Sequence, residues 1–409
     1  MPPLMRALLR PLRATGLLGA TLLLAACGGG GHGDDGGSAV ASAFAASSTL
    51  ANICTLDGQQ QFVRSLLDET YLWYDEIPAV DRADYSSVPA YFKALLVKTP
   101  DAAGQPRDRF SAVLSSTIAN ALQSGVAGAA LGDGVPAWLL AAPHKSVPLS
   151  QVVSSPNGRK VGYILFNDHD TGAQDELIAA FESLRGAGID DLVLDMRYNT
   201  GGFLYVAQAA ASMVAGPQSE GQVFEQLRYS ARRRSASAAS SYHFSSQLQT
   251  PESHYPSGSA LPQLNLPRLY VLASGQTCSA SESIINGLRG IDIDVILVGG
   301  TTCGKPYGFH RQDNCGLAFF AIEFQGYNAK NSGDYTAGFQ PTCPVADNLL
   351  SALGSPGDPL LATALHHADT GSCPAAAPAR SVLSQGQPAA ERANAPVARR
   401  QPWEGRLLR

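Results

Sequence analysis

Between Pro267 and Lys305 the chain passes through a short apolar run, a helix-spaced segment, a second apolar run and a glycine-bracketed turn, and few folds accommodate that order. Pro267–Ala273 reads as a buried strand, Ser283–Leu288 carries helical apolar spacing, and Asp294–Val298 reads as a second buried strand. Ser279 then stands where a strand passes into a helix, beside the helix's free N–H groups and positive dipole end. Lys305 follows the second strand in a Gly304-Lys305 turn that returns to the same edge of a parallel sheet. A nucleophile and a base can meet there. Read locally, Ser279-Ala280-Ser281-Glu282 is also a capping box in which Glu282 reaches back, and Lys305 alone is also an ordinary solvated turn lysine.

The preceding region repeats the alternation. Val161–Phe166 reads as a strand, Gln174–Leu184 as a helix, Leu192–Asp195 as a buried strand and Leu204–Val214 as a helix. Strand–helix alternation implies an α/β fold with a parallel sheet and right-handed crossovers. Gly201-Gly202 precedes the last of these helices, at the C-terminal end of a strand, where ligands bind in open α/β sheets. A plain tight turn is the simpler use of such a pair. Asp195 and Arg197 flank a buried strand and are expected to brace that turn. Upstream, Thr55–Tyr74 and Val88–Val97 read as two helices, followed by Asp108-Arg109-Phe110-Ser111, and suggest a small helical cap. In Ala112–Ser150 only Trp138-Leu139-Leu140 resembles a strand core. Downstream, Tyr229–Ser259 reads as an exposed excursion carrying Arg232-Arg233-Arg234. Gly316–Phe324 is expected to be one strand, and Asp347–Leu353 and Pro359–His367 closing helices, with His366-His367 at the surface.

Composition excludes some partners. A formal net charge of −5 over 409 residues shows no basic excess, so nucleic acid is not expected. Arg6 and Arg10 precede an apolar run from Leu17 to Ala26 that ends Leu24-Ala25-Ala26-Cys27, the pattern of a bacterial lipoprotein signal cut before a lipidated Cys27. An ordinary secretory signal is the alternative. The glycines that follow read as a tether, and no other run reaches membrane-spanning length. Export permits disulfides. Besides Cys27 there are six cysteines, Cys54, Cys278, Cys303, Cys315, Cys343 and Cys373. Cys303 is expected to be oxidised, with Cys315 favoured over Cys278 as its partner. Zinc-type spacings are absent, so neither metal nor cofactor is expected.

Four features occur in one order: Asp108-Arg109-Phe110-Ser111, Leu194-Asp195-Met196-Arg197-Tyr198-Asn199-Thr200-Gly201-Gly202, Thr277-Cys278-Ser279-Ala280-Ser281-Glu282, and Gly304-Lys305. Together they resemble the C-terminal-processing (tail-specific) serine peptidases. The resemblance runs in order from about Thr55 to Leu361 and is strong from Val161 to Gly308. It implies a crotonase-like α/β core with an N-terminal helical cap, polypeptide substrates, and a Ser-Lys dyad acting through an acyl-enzyme. Carried over by position, Ser279 is the nucleophile, Lys305, 26 positions downstream, is the base, and backbone N–H groups of Ala280 and of Gly201 or Gly202 form an oxyanion hole. The glutamine that usually follows the lysine by four positions is here Phe309, with His310 or Gln312 the candidates to orient Lys305. The expected organisation is a signal over 1–26, a tether over 27–53, a helical domain over 54–111, a shortened PDZ-like or linker region over 112–150, a catalytic core over 151–370 and a disordered tail over 371–409. A non-catalytic binding or scaffold lipoprotein is the rival reading. Penicillin-binding acyltransferases are disfavoured because the chain has no Ser-x-x-Lys.

Overall fold

A computed structural model describes residues 44–101, 104–123, 145–347, 351–375 and 407–408. The signal and Cys27, the Trp138–Leu140 strand and most of the expected tail lie outside the described residues.

The N-terminal unit grows from amphipathic spacing. Helix α1 (Ser47–Leu50) leads to α2 (Leu56–Thr70), capped by Thr55, whose side chain accepts the Gly58 N–H at 3.2 Å. Phe62, Val63, Leu66 and Leu67 lie on its buried face and pack with α3 (Val88–Leu95), which begins at Ser87 with a proline in its first turn. Beyond Ser111 come strand β1 (Ala112–Ser115) and α4 (Ser116–Gln123), so the stretch expected as linker opens with regular structure.

Among the described residues six strands form the central sheet, ordered β13-β8-β7-β4-β3-β2. They are β2 (Leu149–Ser154), β3 (Lys160–Leu165), β4 (Asp191–Asp195), β7 (Arg268–Ala273), β8 (Asp294–Gly299) and β13 (Cys343–Pro344). Every ladder is parallel except that of β2 with β3. Crossovers run through α5 (Ala173–Ala187), α6 (Leu204–Val214) and α8 (Ala280–Gly290). Side chains alternate across the strands: Leu269, Val271 and Ala273 face those three helices, while Tyr270 and Leu272 face α9 (Pro359–Thr370). Covering both faces is what makes these strands read as unbroken apolar runs. Each large apolar side chain so buried contributes roughly 1.5–3 kcal/mol.

A second sheet, ordered β14-β9-β12-β5-β6, contains β5 (Val223–Tyr229), β6 (Ser241–His243), β9 (Tyr307–His310), β12 (Phe324–Tyr327) and β14 (Leu407–Leu408). A third, ordered β1-β11-β10, contains β10 (Gln312–Asn314) and β11 (Leu317–Phe320). The single strand expected over Gly316–Phe324 is therefore two, in different sheets, divided at Ala321–Glu323. Continuous hydrophobicity could not reveal that break. Tyr229–Ser259 is not a bare excursion either. After α7 (Arg234–Ala239) it supplies β6 and buries Phe244 and Leu248 in the main core. Arg232 pairs with Asp68 at 3.4 Å and lies over the Tyr74 ring, and Arg233 pairs with Glu323. His367 is half-buried with Nδ1 3.2 Å from the Tyr270 hydroxyl. The described part of Asp347–Leu353 is not helical.

The helical unit shares its core with the β9–β11 region, because Phe62, Phe92, Phe110, Tyr307, Phe309, Phe319 and Phe320 belong to one buried cluster. The Cys54–Cys315 disulfide spans the same boundary, with Cα atoms 5.5 Å apart.

Candidate active site

The turn from β7 into α8 holds Ser279 in an unusual conformation, φ 59° and ψ −114°. That is the first central position of a type II′ turn, where glycine is the usual residue. A β-carbon there is strained, and such strain persists only where the surroundings over-determine it. The Ser279 side chain is buried, and among the described residues its Oγ has no hydrogen-bond partner. Its N–H donates to Glu282 Oε2 at 3.0 Å, the backward reach expected of a capping box. Ala280 follows as the first residue of α8, at the end where N–H groups have no partner within the helix.

Lys305 arrives from the other side. After β8 the chain turns at Gly304, φ 80°, where an added Cβ would come within 2.2 Å of the Thr336 carbonyl oxygen. Lys305 is fully buried, with Nζ 4.7 Å from the Phe309 ring centroid and 5.3 Å from that of Phe110. The helical unit, through Phe110, thus forms one wall of the lysine pocket. His310 Nδ1 lies 2.8 Å from Glu323, its ring stacked with Tyr229, and Gln312 pairs with Phe319 at the start of β10.

Three links join the two turns. Cys278 and Cys303 form a disulfide with Cα atoms 5.1 Å apart, and the Cys303 N–H donates to the Thr277 carbonyl at 3.0 Å. The Glu282 carboxylate is the third. Its Oε1 accepts from the Thr302 hydroxyl at 2.6 Å and the Gly304 N–H at 2.9 Å, and its Oε2 from the Ser279 N–H at 3.0 Å and the Lys305 N–H at 2.8 Å. Burial pushes the Glu282 carboxyl up from its ordinary range, while these hydrogen bonds pull it down. The favoured Cys303–Cys315 pairing is corrected: Cys315 bonds Cys54, and the remaining pair is Cys343–Cys373. A hairpin reading places Cys303 and Cys315 together, but Gly304-Lys305 carries the chain away between them. Cys278, Glu282 and Cys303 bring ligand-type atoms within 4.8 Å of one another, yet the two sulfurs are bonded to each other and leave no thiolate for a metal.

The glycine turn after β4 closes the site. Gly201 (φ 92°) packs so tightly that an added Cβ would lie 2.7 Å from the Cys278 carbonyl oxygen and 2.8 Å from the Ala280 nitrogen. Its own N–H donates to Asn199 Oδ1 at 3.0 Å. Asn199 is the hub here. Oδ1 also accepts from His169 Nδ1 at 3.0 Å, Nδ2 donates to the Phe166 carbonyl at 3.0 Å, and its carbonyl accepts the Cys278 N–H at 3.1 Å. Burial lowers the His169 pKa to about 4, against the smaller opposing effects of Asn199 and Asp168, so the ring is neutral at pH 7. Its Nε2 is buried without a partner among the described residues. Beneath the turn Arg197 forms buried ion pairs with Asp195 at 2.8 Å and Asp358 at 2.6 Å, and a third pair with Asp347 at 2.9 Å. Asp195 and Arg197 brace the turn as the charges beside a buried strand suggested.

The structure brings together the turns of Ser279, Ala280, Gly201, Gly202 and Lys305. Sequence reasoning passed over Asn199 and Phe110, though both stood inside quoted motifs, and took Glu282 for a helix cap alone. His169 carried only a weak signal, a histidine between two aspartates just after a buried strand.

A profile described as "Peptidase family S41" matches residues 160–345, and one described as "Peptidase S41 N-terminal domain" matches residues 58–112. A carboxyl-terminal-processing protease of Picosynechococcus sp. is 28% identical over 182 residues, 44% of this chain and 38% of that protein. The chain therefore matches about two fifths of that relative's length. Among solved structures, a candidate S41 protease of Bacteroides fragilis superposes with a TM-score of 0.60 at 22% identity, covering 76% of this chain and 97% of the other. That likeness shows a shared fold.

Proposed function

This chain belongs to peptidase family S41, and from that premise we propose that it is a serine-type peptidase cleaving exported polypeptides with Ser279 as nucleophile and Lys305 as base. The observation that carries the reading is Ser279 itself: a strained, buried serine at a helix start, its Oγ without a partner among the described residues, next to Cys278, whose disulfide reaches the turn of a buried lysine. A serine hydroxyl needs an adjacent base, and a lysine can be one only as a neutral amine, the form that burial favours. Lys305 removes the Oγ proton as the oxygen attacks the scissile carbonyl carbon. The carbonyl oxygen becomes an oxyanion, held by the N–H groups of Ala280 and of the glycine turn, donors that typically supply about 2.7–4 kcal/mol each. Because the Gly201 N–H is engaged by Asn199, Gly202 is the glycine we assign to that hole. The protonated lysine then delivers its proton to the leaving amine, and water hydrolyses the acyl-enzyme by the same route in reverse.

The reading extends to the architecture and the place of action. We assign a crotonase-like core, with the helical unit acting as a cap that contributes Phe110, and lipid attachment at Cys27 on the cell-envelope side of a bacterial membrane. Phe309 at the lysine pocket favours a non-catalytic binding protein as second reading, since no glutamine stands at that position to orient the amine.

A fluorophosphonate probe separates the two. Mature protein should be labelled once, at Ser279, and both labelling and turnover of an unfolded protein substrate should vanish in Ser279→Ala. Lys305→Ala should abolish turnover as well, and the double variant should be no worse, because both residues serve one step. Folded Lys305→Ala with full turnover would retire the dyad, and an unlabelled, inactive wild type would favour the binding protein.

A further inference from the structure

Among the described residues, every hydrogen bond of one buried carboxylate goes to the turns of Ser279 and Lys305. Glu282 is 0% exposed and accepts from the backbone N–H groups of Ser279 and Lys305 themselves, at 3.0 and 2.8 Å, with Gly304 and the Thr302 hydroxyl as further donors. A helix cap needs only the first of these. The other three reach across 20 to 23 residues of chain to the turn that carries the base. Beside them the Cys278–Cys303 disulfide makes a covalent link between the residue before Ser279 and the one two before Lys305. The Ser279 turn is intrinsically unfavourable, with a non-glycine residue at φ 59°, so it would not hold its shape unaided, whereas Gly304 takes φ 80° without strain.

We propose that Glu282 is a positioning residue of the peptidase reaction, the non-covalent half of a joint whose covalent half is Cys278–Cys303, and that the joint sets Ser279 and Lys305 relative to one another. The inference rests on the dyad reading above. Glu282 touches neither substrate nor the reacting atoms. It acts through two main-chain N–H groups, so its effect belongs to the chemical step and not to substrate capture. The geometry also explains why a glutamine is a poor replacement. One amide oxygen can still accept two bonds, but the amide nitrogen would face N–H groups where an acceptor is required. The disulfide makes the same joint responsive to thiol reductants. Reduction leaves Glu282 and the Cys303–Thr277 backbone hydrogen bond to hold the turns together.

Glu282→Gln should lower kcat on a peptide substrate about 100-fold and leave KM within about twofold, with a cooperative melt retained. Thr302→Val, which removes one donor to Glu282 and also the acceptor of the Phe339 N–H, should lower kcat about tenfold with the same unchanged KM, and it serves where Glu282→Gln does not fold. Phosphine reduction should lower kcat of the wild type and leave that of a Cys278→Ser/Cys303→Ser variant unaltered. Hydrogen exchange gives a readout independent of turnover: peptides covering 278–283 and 301–306 should exchange faster together in Glu282→Gln or Thr302→Val. Full kcat in a folded variant, or a loss expressed in KM, would overturn the assignment, as would unchanged exchange in both peptides. If the wild type turns nothing over while exchange changes as described, the peptidase reading fails and the joint stands.

Discussion

Gly201 presses against Ser279: a Cβ built on Gly201 would lie 2.9 Å from the Ser279 Cβ, closer than real Cβ atoms come. The two residues come from different crossovers, one after β4 and one after β7. They meet because those strands are neighbours in the sheet and their C-terminal ends share an edge. Glycine is required twice over, since φ is also +92°. Gly201→Ala should therefore displace the Ser279 turn, cutting the rate of fluorophosphonate labelling at least 100-fold. Retention of the wild-type labelling rate would show that the contact is not needed.

The strained backbone of Ser279 predicts a trade between stability and activity. Its Oγ makes no hydrogen bond among the described residues, so removing the side chain loses little, and glycine relaxes the positive φ. Ser279→Gly should be inactive yet more stable than the wild type by about 1 kcal/mol, while Ser279→Ala should show no such gain. Denaturant melts of the two variants test this.

Acid should weaken the fold through His169. Its folded pKa is lowered to about 4, whereas an unfolded histidine titrates near 6.5. Between those values the unfolded chain binds a proton that the folded chain does not. Stability from this residue is thus fully present above about 6.5 and lost as pH falls towards 4, by at most roughly 3 kcal/mol. His169→Gln should flatten the slope of melting free energy across that window. An identical slope in the variant would count against a buried neutral ring.

The Cys54–Cys315 bond closes a loop with a sequence separation of 261 and ties the helical unit to the β10–β11 turn. Replacing both cysteines by serine should lower stability by about 2–5 kcal/mol, the upper part of the range being expected for so long a loop. Because the bond is remote from Ser279 along the chain, labelling of the variant at low temperature should match the wild type. A large drop in labelling would mean that the wall containing Phe110 moves.

Lipid attachment is tested at Cys27. In a bacterial host, Cys27→Ala should leave the membrane fraction or accumulate unprocessed. Unchanged fractionation and processing would count against the anchor.

How much was legible from the chain differs from element to element. Leu204–Val214 coincides with α6, and the strands at 160–165, 191–195, 268–273 and 294–299 lie within a residue of their expected places. Burial on both faces makes such strands continuously apolar, and that pattern is local. The spacing of Ser279 and Lys305 was legible for the same reason, since each lies at the end of a readable strand. Residues 316–324 failed because hydrophobicity says nothing about which sheet a strand joins. The chain leaves one sheet after Phe320 and enters another at Phe324, and the lone charged residue between them, Glu323, does not by itself mark a change of sheet.

The sequence alone determined the βαβ frame, the helix start that carries Ser279, and the glycines where positive φ is needed, because these depend on periodicity and backbone sterics within a few residues. Tertiary structure alone decided that Glu282 serves both turns, that Cys303 bonds Cys278 and not Cys315, that Phe110 and Phe309 flank Lys305, and that Asn199 binds His169. Each is a contact between segments far apart in the chain. Its partner is chosen by which strands lie side by side, and no local propensity encodes that choice.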